Sequence, residues 1–243
     1  LGGRRGSLRC NFRGGRVAPF GLTGLPEGLD DFRPDLLVHR NGNLYFAERS
    51  TMRVVVTDVE GAYRQSFRLR DLVAASLPPD DERKPPGSRD AFTVDPAGTL
   101  LFPVAAMFGA GLVSPAGEVR LFGSRGSTPG KFNIVGGIDA DENGALYVTD
   151  RLRSVVSVWS RELRHLGDFG YRGEGDANLI TPYEIAAGNG RVFVAQAAMR
   201  GVKVFRVELV EPPPPVADAP GAPSRPRVLP AGVPPGGRAE APP

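Results

Sequence analysis

The sequence predicts an all-β chain built from repeated four-stranded antiparallel sheets. A short apolar strand, a glycine-containing turn and a second strand recur four times, at residues 35–48, 92–105, 137–150 and 184–196. The turn glycines Gly98, Gly144 and Gly190 are spaced by about 46 residues and Gly42 precedes Gly98 by about 56, which is the range of a propeller blade. Each hairpin is followed by more strand-like sequence in which β-branched and polar residues alternate, as in half-buried strands. Helical periodicity is weak except over residues 71–76. A lone sheet of this length leaves its faces uncovered, whereas stacking several buries face against face and leaves only short edges. The predicted class is therefore a β-propeller of four-stranded antiparallel blades, with about four to five blades visible.

The elements follow in order. Residues 7–21 (SLRCNFRGGRVAPFG) read as the outer strand pair of a blade whose inner pair is missing. The first full blade is 35–48, then 53–58 and 62–67. The second is 92–105, where Phe102-Pro103 is expected to break the pattern, then 111–114 and 118–122. The polar, Pro-rich insertion 76–88 explains the longer first spacing and reads as a surface loop. The third blade is 137–150, 154–159 and 163–169, and the fourth is 184–196 and 202–207. Leu44-Tyr45-Phe46, Leu146-Tyr147-Val148 and Val192-Phe193-Val194 put large apolar groups between blades, each worth about 1.5–3 kcal/mol on burial. About half of the 24 prolines lie in residues 211–243. Proline lacks the backbone donor and fixes φ, so neither helix nor sheet is expected there. The domain reading is a propeller over 1–210 and a disordered or extended Pro-rich tail over 211–243, more a linker than a ligand for a proline-binding groove.

Composition narrows the function classes. The chain has 243 residues, 41% apolar and 23% charged, with a net charge of +3. That balance supports a buried core. Lys84, Lys131 and Lys203 are the only lysines, and the arginines show no basic face interleaved with aromatics, so a nucleic-acid partner is not expected. Cys10 is the only cysteine, which excludes an internal disulfide and a cysteine-based metal site. No Cys-x-x-Cys-His haem motif and no run of about 18 apolar residues occurs. There is no Gly-x-Ser-x-Gly, P-loop or dinucleotide fingerprint, so no catalytic or cofactor-binding residue is assigned.

Residues 129–170 resemble the NHL repeat: Gly130 and Phe132, then Ile138-Asp139, the turn at Gly144, Leu146-Tyr147-Val148, Asp150, and a strand ending in Trp159. The resemblance covers about residues 8–210. It is looser elsewhere, with Ala195-Gln196 in place of a small residue plus Asp. It implies a six-bladed parent and so a missing front portion, a reading favoured over a small or open ring. It also implies an exported bacterial protein, periplasmic or extracellular, and a haem-free accessory of a cytochrome-associated complex.

Several side chains invite a chemical reading. Asp139, Asp141, Asn143 and Asp150 fit a calcium loop in which Asp replaces the final Glu. The competing and favoured reading is a blade turn, where Asn-Gly supplies positive φ. His39 and His165 are the only histidines and stand in non-equivalent places, so they do not form a metal set. Glu48, Asp150 and Glu184 lie near inner-strand ends, where carboxylates serve a channel metal or acid–base chemistry; by family position Asp150 is structural, bonding to nearby backbone. The leading expectation is a non-enzymatic propeller acting as a protein-binding scaffold or accessory subunit. The alternatives are a propeller hydrolase or lyase with a metal in the central channel, and an RNA-binding propeller.

Overall fold

The repeat resolves into sheets in a computed structural model that describes residues 7–11, 13–15, 17–77, 92–197, 200–209 and 227–230. Among the described residues there are four four-stranded antiparallel sheets and one two-stranded sheet, and in each the sequence neighbours pair. The chain divides into two units, Leu1–Arg125 and Gly126–Pro243. No helix among the described residues is long and apolar enough to cross a membrane.

The first unit begins with the half blade, β1 (Ser7–Arg9) paired with β2 (Ala18–Phe20). Blade one is β3 (Leu36–Arg40), β4 (Asn43–Glu48), β5 (Arg53–Asp58) and β6 (Tyr63–Arg68). The helix α1 (Leu69–Ser76) follows, and blade two is β7 (Thr93–Val94), β8 (Leu100–Val104), β9 (Gly109–Val113) and β10 (Val119–Phe122). Blade one is covered on both faces. Phe46 and Val55 meet Leu29 and Phe32 on one side, where Phe20 of the half blade stacks on Phe46 at 6.0 Å. Val54 and Val56 belong to the core with Val94 and Leu100 on the other, which Val73 of α1 also joins.

The second unit holds blade three, β11 (Val135–Ala140), β12 (Leu146–Asp150), β13 (Val155–Trp159) and β14 (His165–Phe169). Blade four is β15 (Pro182–Gly188), β16 (Arg191–Gln196), β17 (Val202–Glu208) and β18 (Arg227–Pro230). Tyr147, Val156 and Phe169 of blade three share a core with Val192, Val194 and Phe205 of blade four.

Two turn chemistries close the inner hairpins. Asn41-Gly42 and Asn189-Gly190 place both central residues at positive φ, 52° and 72° in one and 53° and 67° in the other, as a type I′ turn requires. In blades two and three an aspartate begins the turn instead. Asp95 Oδ1 accepts hydrogen bonds from the Ala97 and Thr99 amides, and Asp141 Oδ1 does the same for Asn143 and Ala145.

Three expectations need comment. Pro103 does not break blade two: β8 runs through it, paired with Ala110 of β9. On its other flank β7 pairs with Leu100 and Leu101. The tail does contribute a strand: Arg227–Pro230 pairs with Phe205–Glu208 as the last strand of blade four. The only proline inside β18 is its final residue, and an edge strand tolerates one there. The rest of the Pro-rich tail, and the 76–88 insertion from residue 78 on, lie outside the described residues.

One packing constraint was not expected from the repeat. Gly136 and Gly137 lie where β11 passes against β15. A Cβ on Gly136 would sit 2.6 Å from Thr149 Oγ1 and 2.9 Å from the Tyr183 carbonyl oxygen, and one on Gly137 2.9 Å from the Ile185 nitrogen. Thr149 Oγ1 in turn accepts the Gly137 amide at 2.8 Å. Gly137→Ala is predicted to destabilise the fold by about 1–3 kcal/mol, because backbone must move to admit the methyl. Equilibrium denaturation of the variant beside the parent measures it; equal midpoints and slopes would contradict the close approach.

Candidate functional site

The inner strand pairs end in a recurring clasp. Ahead of each of three blades a large apolar side chain plugs the core: Phe32, Phe132 and Leu179, all buried. The amide that follows each plug donates to the last residue of the blade's second strand. The Arg33 amide donates to Glu48 Oε1 at 3.2 Å, Asn133 to Asp150 Oδ2 at 2.8 Å, and Ile180 to Gln196 Oε1 at 2.7 Å. All three acceptors are buried, Asp150 completely. Asp150 Oδ1 also accepts the amides of Leu152 (3.1 Å), Arg153 (3.0 Å) and Ile134 (3.4 Å). Four backbone donors thus meet one carboxylate, three at Oδ1 and one at Oδ2. Glu48 Oε2 accepts instead from the Arg53 guanidinium at 2.6 Å and from the Thr51 hydroxyl, while Arg53 also reaches Asp31 at 2.7 Å. In blade two, buried Val104 stands at the end of β8, so that position offers no side-chain acceptor.

The four calcium-loop residues do not converge. Asp141 closes its turn through Oδ1, and its Oδ2 accepts the Tyr147 hydroxyl at 3.0 Å. Burial first, and the Asp141 carboxylate second, push the Tyr147 hydroxyl well above its ordinary pKa, so it remains a donor. Asp139 Oδ2 accepts the Ala187 amide of β15 at 2.8 Å. Asn143 lies in the turn and donates its amide to Asp141. Asp150 sits at the far end of β12, four residues beyond Leu146, or about 13 Å at strand spacing. Among the described residues, no group of three or more His, Cys, Asp or Glu is placed to hold a metal ion.

The remaining candidates are also dispersed. His39 is exposed on β3 and Glu184 exposed on β15. His165 belongs to a polar cluster on the outer strands of blade three. Its Nε2 lies 2.9 Å from Asp168 Oδ1, and the Arg153 guanidinium lies 2.5 Å from Asp168 Oδ2. The His165 ring meets Trp159 edge-on at 5.3 Å, and the Trp159 indole N–H donates to Ser157 Oγ at 3.0 Å. Arg153 also donates to the Lys131 carbonyl at 2.9 Å, tying the approach loop to β14. Burial pushes the Asp168 carboxyl up, but the hydrogen bond with His165 and the Arg153 guanidinium outweigh it and hold the pKa below the ordinary value.

What the clasps present outward is apolar. Ile134, 47% exposed, and Leu152, 61% exposed, flank the Asp150 acceptor, and the Arg151 amide donates to the Ile134 carbonyl at 2.8 Å. The Thr181 amide donates to Ser154 Oγ at 3.3 Å, joining the approach loop of blade four to the same rim. Tyr171 and Tyr183 are exposed on or beside that loop, as are Arg151 and Arg172 on the two loops. The arrangement offers a contact surface of apolar and aromatic side chains edged by arginine, set on a hydrogen-bonded rim.

No protein-family model matches the chain, and no curated protein matches it. Solved structures do. Selenomethionine-substituted virginiamycin B lyase from Staphylococcus aureus aligns with a TM-score of 0.54 and 14% identity, covering 93% of this chain and 63% of that one. A catalytically inactive virginiamycin B lyase from the same organism, with quinupristin, aligns at a TM-score of 0.52 and 16% identity, covering 81% and 58%. The fold is a β-propeller. The chain spans less than two thirds of the length of these propellers, 63% and 58%. At such identities the likeness is one of fold.

The Asp168 cluster makes a stability prediction. A carboxyl whose folded pKa lies below its unfolded value stabilises the fold above the ordinary carboxylate range. That contribution is lost as pH falls through the folded value. Asp168→Asn leaves Arg153 buried beside a neutral amide and is predicted to cost about 3 kcal/mol at neutral pH. The gap between variant and parent should narrow in acid. Denaturation curves across pH check it, and a gap independent of pH would contradict the assignment.

Proposed function

We propose that the chain is a non-enzymatic, NHL-type propeller that binds a protein partner through the loop rim of blades three and four. The observation that carries this reading is the pairing of exposed Ile134 and Leu152 with the buried Asp150 acceptor between them. Exposed apolar side chains on a hydrogen-bonded frame lose little freedom on binding, which favours affinity. Aromatic and arginine side chains, here Tyr171, Tyr183, Arg151 and Arg172, are the types enriched at protein interfaces. Of the carboxylates at inner-strand ends that a channel enzyme would employ, Glu48 and Asp150 are engaged by backbone amides, while Glu184 is exposed on β15. The repeat resemblance in residues 129–170 supports the NHL type. An accessory role in an exported bacterial assembly, periplasmic or extracellular, belongs to the same proposal and rests on that resemblance alone.

A photo-crosslinking amino acid placed at Leu152, and separately at Arg164 in the β13–β14 turn, tests the reading in the cells that produce the protein. One discrete protein adduct is expected from position 152 and none from 164. Ile134→Asp should reduce that adduct at least about tenfold, the equivalent of about 1.4 kcal/mol. Adduct formation indifferent to Ile134→Asp would contradict the rim as the contact. Turnover of virginiamycin B, or stoichiometric metal in the purified chain, would favour the lyase or metal-hydrolase alternative.

A further inference from the structure

The two blades of the second unit differ in one respect that the repeat does not explain. Strands β12 and β13 of blade three are buried along their whole length. The matching strands of blade four alternate. Val192, Val194 and Phe205 are buried toward blade three, while Phe193 (38% exposed) and Val202 (59% exposed) face away. Register makes this outer face a defined array. Ala186, Phe193 and Val204 form its central row. Arg191 pairs with Arg206 in the row toward the β15–β16 turn, and Glu184, Ala195 and Val202 form the row at the opposite end.

We propose that this face is a dimer interface, occupied by the same face of a second copy of the chain. A two-fold interface must be self-complementary, and the charges on this face are. Arg206 is met on its own strand by Glu208 at 3.5 Å. Arg191 has no carboxylate partner among the described residues. Stacking two faces with strands parallel sets arginine over arginine, whereas strands antiparallel set the arginine end over the glutamate end. In the antiparallel arrangement Phe193 lies on Phe193 of the second copy. Glu184 of that copy comes one strand spacing, about 4.8 Å, from the Arg191 column, across sheets packed about 10 Å apart. Glu184 already has a contact within its own chain, and its two oxygens accommodate a second donor. This surface is separate from the loop rim, and the inference does not rest on the partner proposed there.

Light scattering of the full chain on size exclusion, over a micromolar concentration series, tests the proposal. The expected result is twice the chain mass. Phe193→Asp should weaken association at least about tenfold, or about 1.4 kcal/mol. Arg191→Glu alone should give monomer, and Arg191→Glu combined with Glu184→Arg should restore the dimer. Circular dichroism confirms that each variant folds; if Phe193→Asp does not, the charge-reversal pair carries the test. A parent chain that stays monomeric, a dimer that survives Phe193→Asp, or a reversal pair that fails to rescue would overturn the proposal.

Discussion

Three of the four blades depend on one interaction: an amide that follows a buried apolar plug, donating to a buried acceptor at the end of the second strand. The plug alone fixes depth, since an apolar side chain is held by burial and not by direction. The hydrogen bond fixes the direction in which the chain leaves the core and enters the next inner strand. Both parts are needed because the donating amides are half-buried against buried acceptors, and polar groups drawn out of water must find partners. At Asp150 a single carboxylate satisfies four of them, two before β11 and two in the turn after β12. It thereby joins three consecutive pieces of chain at one point.

The acceptor varies with what surrounds it. Gln196 supplies a neutral oxygen to one amide. Glu48 serves one amide and brings in Arg53, which extends the network to Asp31 at the surface. Hydrogen bonding to Arg53 holds the Asp31 carboxyl below its ordinary pKa. Where the acceptor is replaced by Val104, the preceding connection carries α1 and the 76–88 insertion in place of a short approach loop. The clasp therefore marks the blades whose approach is short and regular.

Much of the fold is legible in the sequence because its causes are local. Asn41-Gly42 and Asn189-Gly190 announce type I′ hairpins through a φ requirement that few other residue pairs meet. The half blade was legible from a strand, a Gly-Gly turn and a strand ending in Phe20. The clasp was only partly legible. The family position of Asp150 pointed to backbone bonding, and Ala195-Gln196 read as standing at that position in the fourth blade, but the change of residue type hid that Gln196 and Glu48 accept the same backbone amide. Position was the better signal: the donating amide lies 15, 17 and 16 residues before its acceptor in the three blades. The calcium spacing at Asp139–Asp150 arose because an aspartate-capped turn and a calcium loop draw on the same residue types. Gly136-Gly137 carried a signal as well, since consecutive glycines within a strand mark close backbone approach. Strand β18 was illegible because three non-proline residues are too few to show a period. The exposed rim and the open face of blade four depend on which neighbours are present, and no local pattern encodes that.

Amide hydrogen exchange in Asp150→Ala tests the clasp most directly. If Asp150 holds the approach loop and the following turn together, the Asn133, Ile134, Leu152 and Arg153 amides lose protection together, while those of Val148 and Val156, in strands β12 and β13, keep theirs. Unchanged protection at the four amides would contradict the account, as would uniform loss across blade three.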